Sequence, residues 1–163
     1  MNITRAESGD LQEILDLQYL AYQSEAALFG NKDIPPLKES IEELTEEFNN
    51  GIILKMTDGD KIIGSVRAYE KRRVAYIGKL MVHPDYRRQG NGSMLLRAIE
   101  KFYPECRYEL FTSTRSEDNI KLYESLGYRR FKEQKNTVCL NSEFVQSLIF
   151  NRKFWQKEKI LRF

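Results

Sequence analysis

Histidine and cysteine are almost missing from this chain. His83 is the one histidine and Cys106 and Cys139 are the two cysteines in 163 residues. The cysteines have no metal-ligand spacing, and a single histidine argues against a Cys/His zinc site, so no metal is expected. Two such thiols read as buried residues in a reducing compartment rather than as a disulfide. Long apolar runs are also lacking, and none approaches the length of a membrane span. The start, Met1-Asn2-Ile3-Thr4-Arg5, has no apolar stretch of the signal-peptide kind, and Asp10 and Glu13 follow soon after. The expected compartment is therefore the cytoplasm, with no membrane partner. Charge of one sign is not in excess either. Lys and Arg number 26 against 24 Asp and Glu, a net +2, which gives no electrostatic reason to expect nucleic acid. No Gly-Lys-Ser/Thr sequence occurs, which argues against a P-loop nucleotide site, and no Ser-His-Asp or Cys-His constellation points to covalent catalysis.

What is present fits one soluble globular domain over residues 1–163, with 41% hydrophobic and 31% charged residues. Ile3 lies in a short first strand. Asp10 with Glu13 has the spacing of a capping box, and Leu11, Ile14, Leu15 and Tyr22 share one face of a helix over about residues 9–26. Phe29-Gly30-Asn31 and Pro35-Pro36 mark a loop. Ser40 with Glu43 is a second capping box, opening a helix with Ile41, Leu44 and Phe48 on its apolar stripe and Asn49-Asn50-Gly51 at its end. Three strands follow, Ile52 to Met56, Lys61 to Tyr69 and Val74 to Val82, joined at Asp58-Gly59 and Arg72-Arg73 and so antiparallel. A third helix carries Met94, Leu95, Ala98, Ile99 and Phe102 inward and stops at Pro104. A strand over Tyr108 to Thr112 allows a right-handed parallel crossover. A helix opening at Ser116-Glu117-Asp118-Asn119 places Ile120, Tyr123 and Leu126 on one face, with Gly127 at its C-terminus. Tyr128 to Phe131 and Thr137 to Leu140 read as two final strands. The core thus spans residues 1–141. The tail, residues 142–163, is aromatic and basic, with helix as one option, and could cover a sheet edge or pair two copies into a homodimer.

One stretch stands out for chemistry. Val82-His83-Pro84-Asp85-Tyr86-Arg87-Arg88-Gln89-Gly90-Asn91-Gly92-Ser93 runs from a strand into a helix, with two basic residues and two glycines. Glycine permits unusual backbone conformations and close approach of a ligand. A helix start presents unpaired N–H groups at the positive end of its dipole, which suits a phosphate.

Arg87-Arg88-Gln89-Gly90-Asn91-Gly92, together with Leu122-Tyr123-Glu124-Ser125-Leu126-Gly127-Tyr128 in the right order along the chain, resembles the GCN5-related N-acetyltransferase (GNAT) superfamily over residues 1 to about 141. The resemblance implies an α/β (α+β) fold: a mixed, mostly antiparallel, splayed sheet flanked by about four helices. It implies acetyl-CoA as cosubstrate and transfer of an acetyl group to a primary amine, small molecule or peptide, by direct attack. Arg87, Arg88, Gln89, Gly90, Asn91, Gly92 and Ser93 would cradle the coenzyme A pyrophosphate. The backbone of Leu80, Met81 and Val82 would pair with the pantetheine arm beside a bulge that Gly78 permits. Tyr123 would protonate the leaving thiolate. Asn119 or Ser116 would bond the pantetheine amide, with helix capping as the other role open to Ser116. Glu70 is the candidate base nearest by position. His83 has the suitable pKa but sits in the turn. The acceptor region would hold Glu25, Asp33, Glu39, Tyr19 and Tyr22. The alternative is a catalytically silent coenzyme A sensor or interaction module of the same fold, since binding and catalysis need the same turn.

Overall fold

The computed structural model describes residues 1–137 and 144–152, with side chains described as far as residue 131. The strands are β1 (Asn2–Arg5), β2 (Ile52–Asp58), β3 (Lys61–Lys71), β4 (Val74–Val82), β5 (Arg107–Ser113), β6 (Arg129–Thr137) and β7 (Phe144–Arg152). The helices are α1 (Leu11–Phe29), α2 (Ile41–Asn50), α3 (Asn91–Glu100) and α4 (Glu117–Ser125). The described strands make one sheet in the order β1-β2-β3-β4-β5-β7-β6. Only β4 and β5 are parallel, because they are joined by a crossover through α3 while the other neighbours are antiparallel.

The sheet is covered on both faces. On one, Leu95, Leu96 and Ile99 of α3 and Ile120 and Tyr123 of α4 pack on Ile63, Ala75 and Ile77. On the other, Leu11, Ile14 and Leu15 of α1 and Leu44 of α2 pack on Ile53, Ile62 and Met81. Ile14, Leu44, Leu95 and Ile99 are completely buried, and each such side chain contributes about 1.5–3 kcal/mol of transfer free energy.

Several expectations need correction. The chain enters α1 through a 3-10 turn, Ser8–Asp10, and the helix continues to Phe29. Asp10 does not pair with Glu13. Its carboxylate accepts the Glu7 N–H at 2.7 Å and binds Lys55 at 2.7 Å. Glu13 instead accepts the Ile62 N–H at 2.7 Å, fastening α1 to β3. The Ser40–Glu43 capping box forms as expected, with bonds of 3.2 and 2.8 Å. Met94 and Phe102 are not inward but 48% and 42% exposed. The buried stripe of α3 is Leu95, Leu96 and Ile99, and Phe102 lies past the helix end with the Arg5 guanidinium over its ring. The end of the sheet also differs. β6 runs as far as Thr137, whereas Val138 to Leu140, expected as strand, lie outside the described residues. The other strand comes from the tail. Phe144–Arg152 inserts as β7 between β5 and β6, so the sheet extends beyond residue 141. Cys139 and residues 153–163, with Trp155 and most of the basic tail, lie outside the described residues.

Two irregularities position the site. Arg67 faces Gly78 and Ser65 faces Met81, so Val66 stands opposite both Lys79 and Leu80. This is a β-bulge, which bends its strand. The bulge does not use Gly78 for its left-handed residue; Lys79 takes φ +48°. Beyond it, β4 and β5 part. Their parallel pairing runs from Val74↔Arg107 to Ile77↔Leu110 and stops there, while β5 continues to Ser113 paired with β7.

Candidate active site

The parting of β4 and β5 opens a cleft of about 1850 Å³. Gly78, Lys79 and Leu80 line it from β4, and Phe111, Thr112 and Ser113 from β5. Asn119 and Tyr123 enter from α4, and Tyr22 and Glu25 from α1. After Ile77 the far edge of β4 has no paired strand among the described residues. An extended chain with amide groups can add there as a strand does. Of the residues expected along this edge, Leu80 lines the cleft. Met81 is buried against α1 and α2. Val82 is half-buried and its carbonyl accepts the Arg87 Nε–H at 3.1 Å.

Past Val82 the chain makes a 3-10 turn, Pro84–Tyr86, with the His83 ring accepting the Asp85 N–H at 3.3 Å. His83 is buried and stays outside the cleft lining, so it closes the turn. Arg88 and Gly90 both have positive φ, +60° and +84°, and α3 begins at Asn91. The Met94 N–H closes on the Gly90 carbonyl at 3.0 Å. Among the described residues, the amides of Arg88 through Ser93 have no acceptor. A row of free N–H groups at a helix N-terminus is an anion-binding arrangement. The side chains of the turn have other duties. Asn91, buried, donates to the Tyr86 carbonyl at 2.8 Å. Gln89 donates to the Asp85 carbonyl at 3.1 Å. Arg88 pairs with Asp118 at 3.0 Å, both well exposed. Arg87 reaches back to α1, donating to the Ser24 hydroxyl at 3.0 Å and the Ala21 carbonyl at 2.7 Å. A Cβ on Gly92 would stand 3.3 Å from Leu122 of α4, so α3 and α4 approach closely here.

Tyr123 is buried and lines the cleft. Burial, reinforced by the negative charge of Glu25, pushes its phenol well above the ordinary tyrosine range. A phenol so placed keeps its proton until a strong base appears beside it. Asn119 lines the cleft and donates to the Thr112 hydroxyl at 3.3 Å. Ser116 does neither. It occupies the N-cap position of α4 without capping it, and its hydroxyl donates to Glu25 at 2.7 Å. Glu70 is not brought to the site. It is exposed, and the strand alternation turns it to the opposite face from Tyr69, beside Cys106, whose thiol burial and the Glu70 charge push up. Tyr69 lies on the cleft side and stacks on Tyr76 with centroids 5.2 Å apart.

Sequence reasoning missed the group that ties α1, α2, β3 and β4 together along the cleft. Arg67, 5% exposed on β3, binds Glu39 at 3.0 Å and Glu47 at 2.8 Å. Its other nitrogen donates to Gln18 at 2.6 Å. Gln18 in turn donates to Glu39 and to the Pro36 carbonyl, and Tyr19 donates to the Glu39 carbonyl. Lys79, the bulge residue, completes the cluster 3.4 Å from Glu39. Burial alone would raise the Glu39 carboxyl. Arg67 and Lys79, with hydrogen bonds from Gln18 and Arg67, outweigh it and hold that carboxyl below the usual carboxylate range. Burial pulls the Lys79 ammonium down against the charge of Glu39. Glu39 and Tyr19, expected at an acceptor pocket, thus act on the framework. Asp33 is ion-paired with Lys38. The one available signal was Arg67 itself, a charge between the apolar residues Val66 and Ala68 in the middle of β3.

Among the described residues no cluster of three His, Cys, Asp or Glu could hold a metal, and no helix is long and apolar enough to cross a membrane. The acetyltransferase (GNAT) family model matches residues 11–128. The protein YqkA of Bacillus subtilis is 26% identical over 130 residues, 79% of this chain and 37% of that protein, so the chain spans well under half of that relative's length. Among solved structures, a ribosomal-protein alanine N-acetyltransferase from Escherichia coli superposes with a TM-score of 0.80 at 19% identity, covering 99% of each chain. A structure described as a putative acetyltransferase from Salmonella typhimurium with its cofactor acetyl-CoA superposes with a TM-score of 0.74 at 13% identity, covering 96% of this chain and 95% of that one.

Proposed function

The chain belongs to the GNAT acetyltransferase family, and from that premise we propose that it moves an acetyl group from acetyl-CoA to a primary amine by direct attack. The observation that carries the reading is the coincidence of three features on one path. The free amides of Arg88 through Ser93 suit a pyrophosphate. The unpaired edge of β4 after Ile77 suits the amides of a pantetheine arm. Tyr123 lines the cleft where β4 and β5 part.

When bound, acetyl-CoA supplies an activated acyl carbon and a leaving thiolate. The chain supplies the rest. The turn holds the anionic end through backbone N–H groups and the dipole of α3. The separated β4 edge aligns the arm, with Asn119 beside it on α4. Tyr123, kept protonated by its surroundings, gives its proton to the departing sulfur. The wall of α1 and α2 admits the amine.

A panel of amines comprising a polyamine, an aminoglycoside, an amino acid and a peptide tests this by release of free thiol from acetyl-CoA. Amine-dependent thiol release with a matching acetylated product is expected. Tight acetyl-CoA binding without release on any amine would favour the sensor reading instead.

A further inference from the structure

We infer that Glu25 takes the proton from the incoming ammonium and is the general base of the reaction proposed above, on which this assignment rests. Glu70 is exposed on the other face of the sheet, so the base must come from elsewhere. Six carboxylates line the cleft: Glu25, Asp33, Glu39, Glu43, Glu46 and Glu47. Asp33 is paired with Lys38. Glu39 and Glu47 are neutralised by Arg67. Glu43 accepts the Ser40 N–H in the capping box of α2. Glu46 is exposed on the same helix. Glu25 is half-buried and has no cation partner among the described residues.

Its position fits the task. Glu25 lies on α1 across the cleft from α4, and its charge bears on the phenols of both Tyr22 and Tyr123. Oε1 is held by the Ser116 hydroxyl at 2.7 Å, while Oε2 makes no hydrogen bond or ion pair among the described residues. One oxygen is therefore oriented and the other is available to a substrate. The ionisable groups facing it are Tyr22 on its own helix and Tyr123 on α4; Arg115, next to Ser116, lines the same cleft.

An ammonium has no lone pair and cannot attack a thioester. Glu25 accepts one proton from R–NH3⁺. The neutral nitrogen forms the C–N bond to the acetyl carbon as the C–S bond breaks. Tyr123 gives its proton to the departing sulfur and regains one from the nitrogen, which becomes the amide. The proton on Glu25 leaves to water. The products are the acetamide, the free thiol and one proton.

The test compares wild type, E25Q, E25D and S116A, using the fastest amine of the panel, hydroxylamine as a nucleophile already neutral near pH 7, and calorimetry with coenzyme A. E25Q should lower kcat for the amine about 100-fold, and the deficit should shrink as pH rises and free amine accumulates. Hydroxylamine turnover and coenzyme A affinity should change less than about threefold, which shows a folded protein. E25D should recover part of the rate, and S116A should lower it less than E25Q. An E25Q enzyme with the wild-type rate and pH profile, or one that loses hydroxylamine turnover equally, overturns the assignment while leaving acetyl transfer intact. A wild type without thiol release on any nucleophile overturns the acetyl-transfer reading and this assignment with it.

Discussion

The turn between β4 and α3 works through its backbone, whereas the wall made by α1, α2 and the floor of β3 works through side chains. In the turn, Arg87, Arg88, Gln89 and Asn91 all bond to protein groups through their side chains, while the backbone amides of Arg88 through Ser93 have no acceptor among the described residues. In the wall, Gln18, Glu39, Glu47, Arg67 and Lys79 come from four separate elements and the loop before α2, and meet in one buried cluster. A backbone site tolerates side-chain exchange but not a change of conformation. A buried charge cluster is the reverse: each member depends on the others, because an unpaired buried charge is costly.

Substitutions can break this contrast. Removing the guanidinium with Arg67→Leu leaves Glu39 with Lys79 as its remaining cation and should cost about 3 kcal/mol of folding stability in urea titrations. A loss below ~1 kcal/mol would mean that the wall is not held by its charges. Next in size, Tyr123→Phe should lower kcat about 100-fold while calorimetric acetyl-CoA affinity stays within about twofold; unchanged turnover would remove the proton-donor role. Gly92→Leu forces a side chain against Leu122 and displaces the amide row, so coenzyme A affinity should fall about 10- to 100-fold, as expected for ~1–3 kcal/mol of local distortion.

A pH series comparing wild type with Glu39→Gln addresses the wall. The Glu39 carboxyl is held low in the folded protein. Its contribution is therefore fully present above the unfolded glutamate value, about 4.3, and is lost as pH falls through the lower folded value. Glu39→Gln should flatten this acid limb of the urea midpoint; an unaltered limb would place the acid sensitivity elsewhere. The smallest effect is expected for Arg88→Ala. Its ion pair with Asp118 is exposed, so coenzyme A affinity should change by less than about threefold. A tenfold loss would show that the turn relies on that side chain after all.

Local pattern carried much of the fold. The Ser40–Glu43 capping box, the Asp58-Gly59 hairpin and the stripe Leu95, Ile99 depend on neighbours a few residues apart, and all are found in the structure. Asp10 and Glu13 show where local pattern misleads. Their spacing suits a capping box, yet each found a better partner, in Glu7 and Lys55 or in Ile62. β7 was illegible for a similar reason. Its place is set by pairing with β5, some forty residues earlier in the chain, and pairing at that distance leaves no local periodic signal.

The amino-acid sequence by itself determined the turn before α3: two glycines and a helix start produce a row of amides whatever surrounds them, because the conformation is local. Only the tertiary structure decided the opposite wall of the cleft. On paper Glu70 is the candidate base nearest by position, and Glu25 is one of several acidic residues in the expected acceptor region. The alternation of β3 turns the first away from Tyr69, beside Cys106, and the Ser116 hydroxyl at the start of α4 holds the second across the cleft, where its charge bears on Tyr123. The difference is physical: helix starts and turns are short-range, whereas the meeting of charges from separate elements exists only once the sheet has closed around its core.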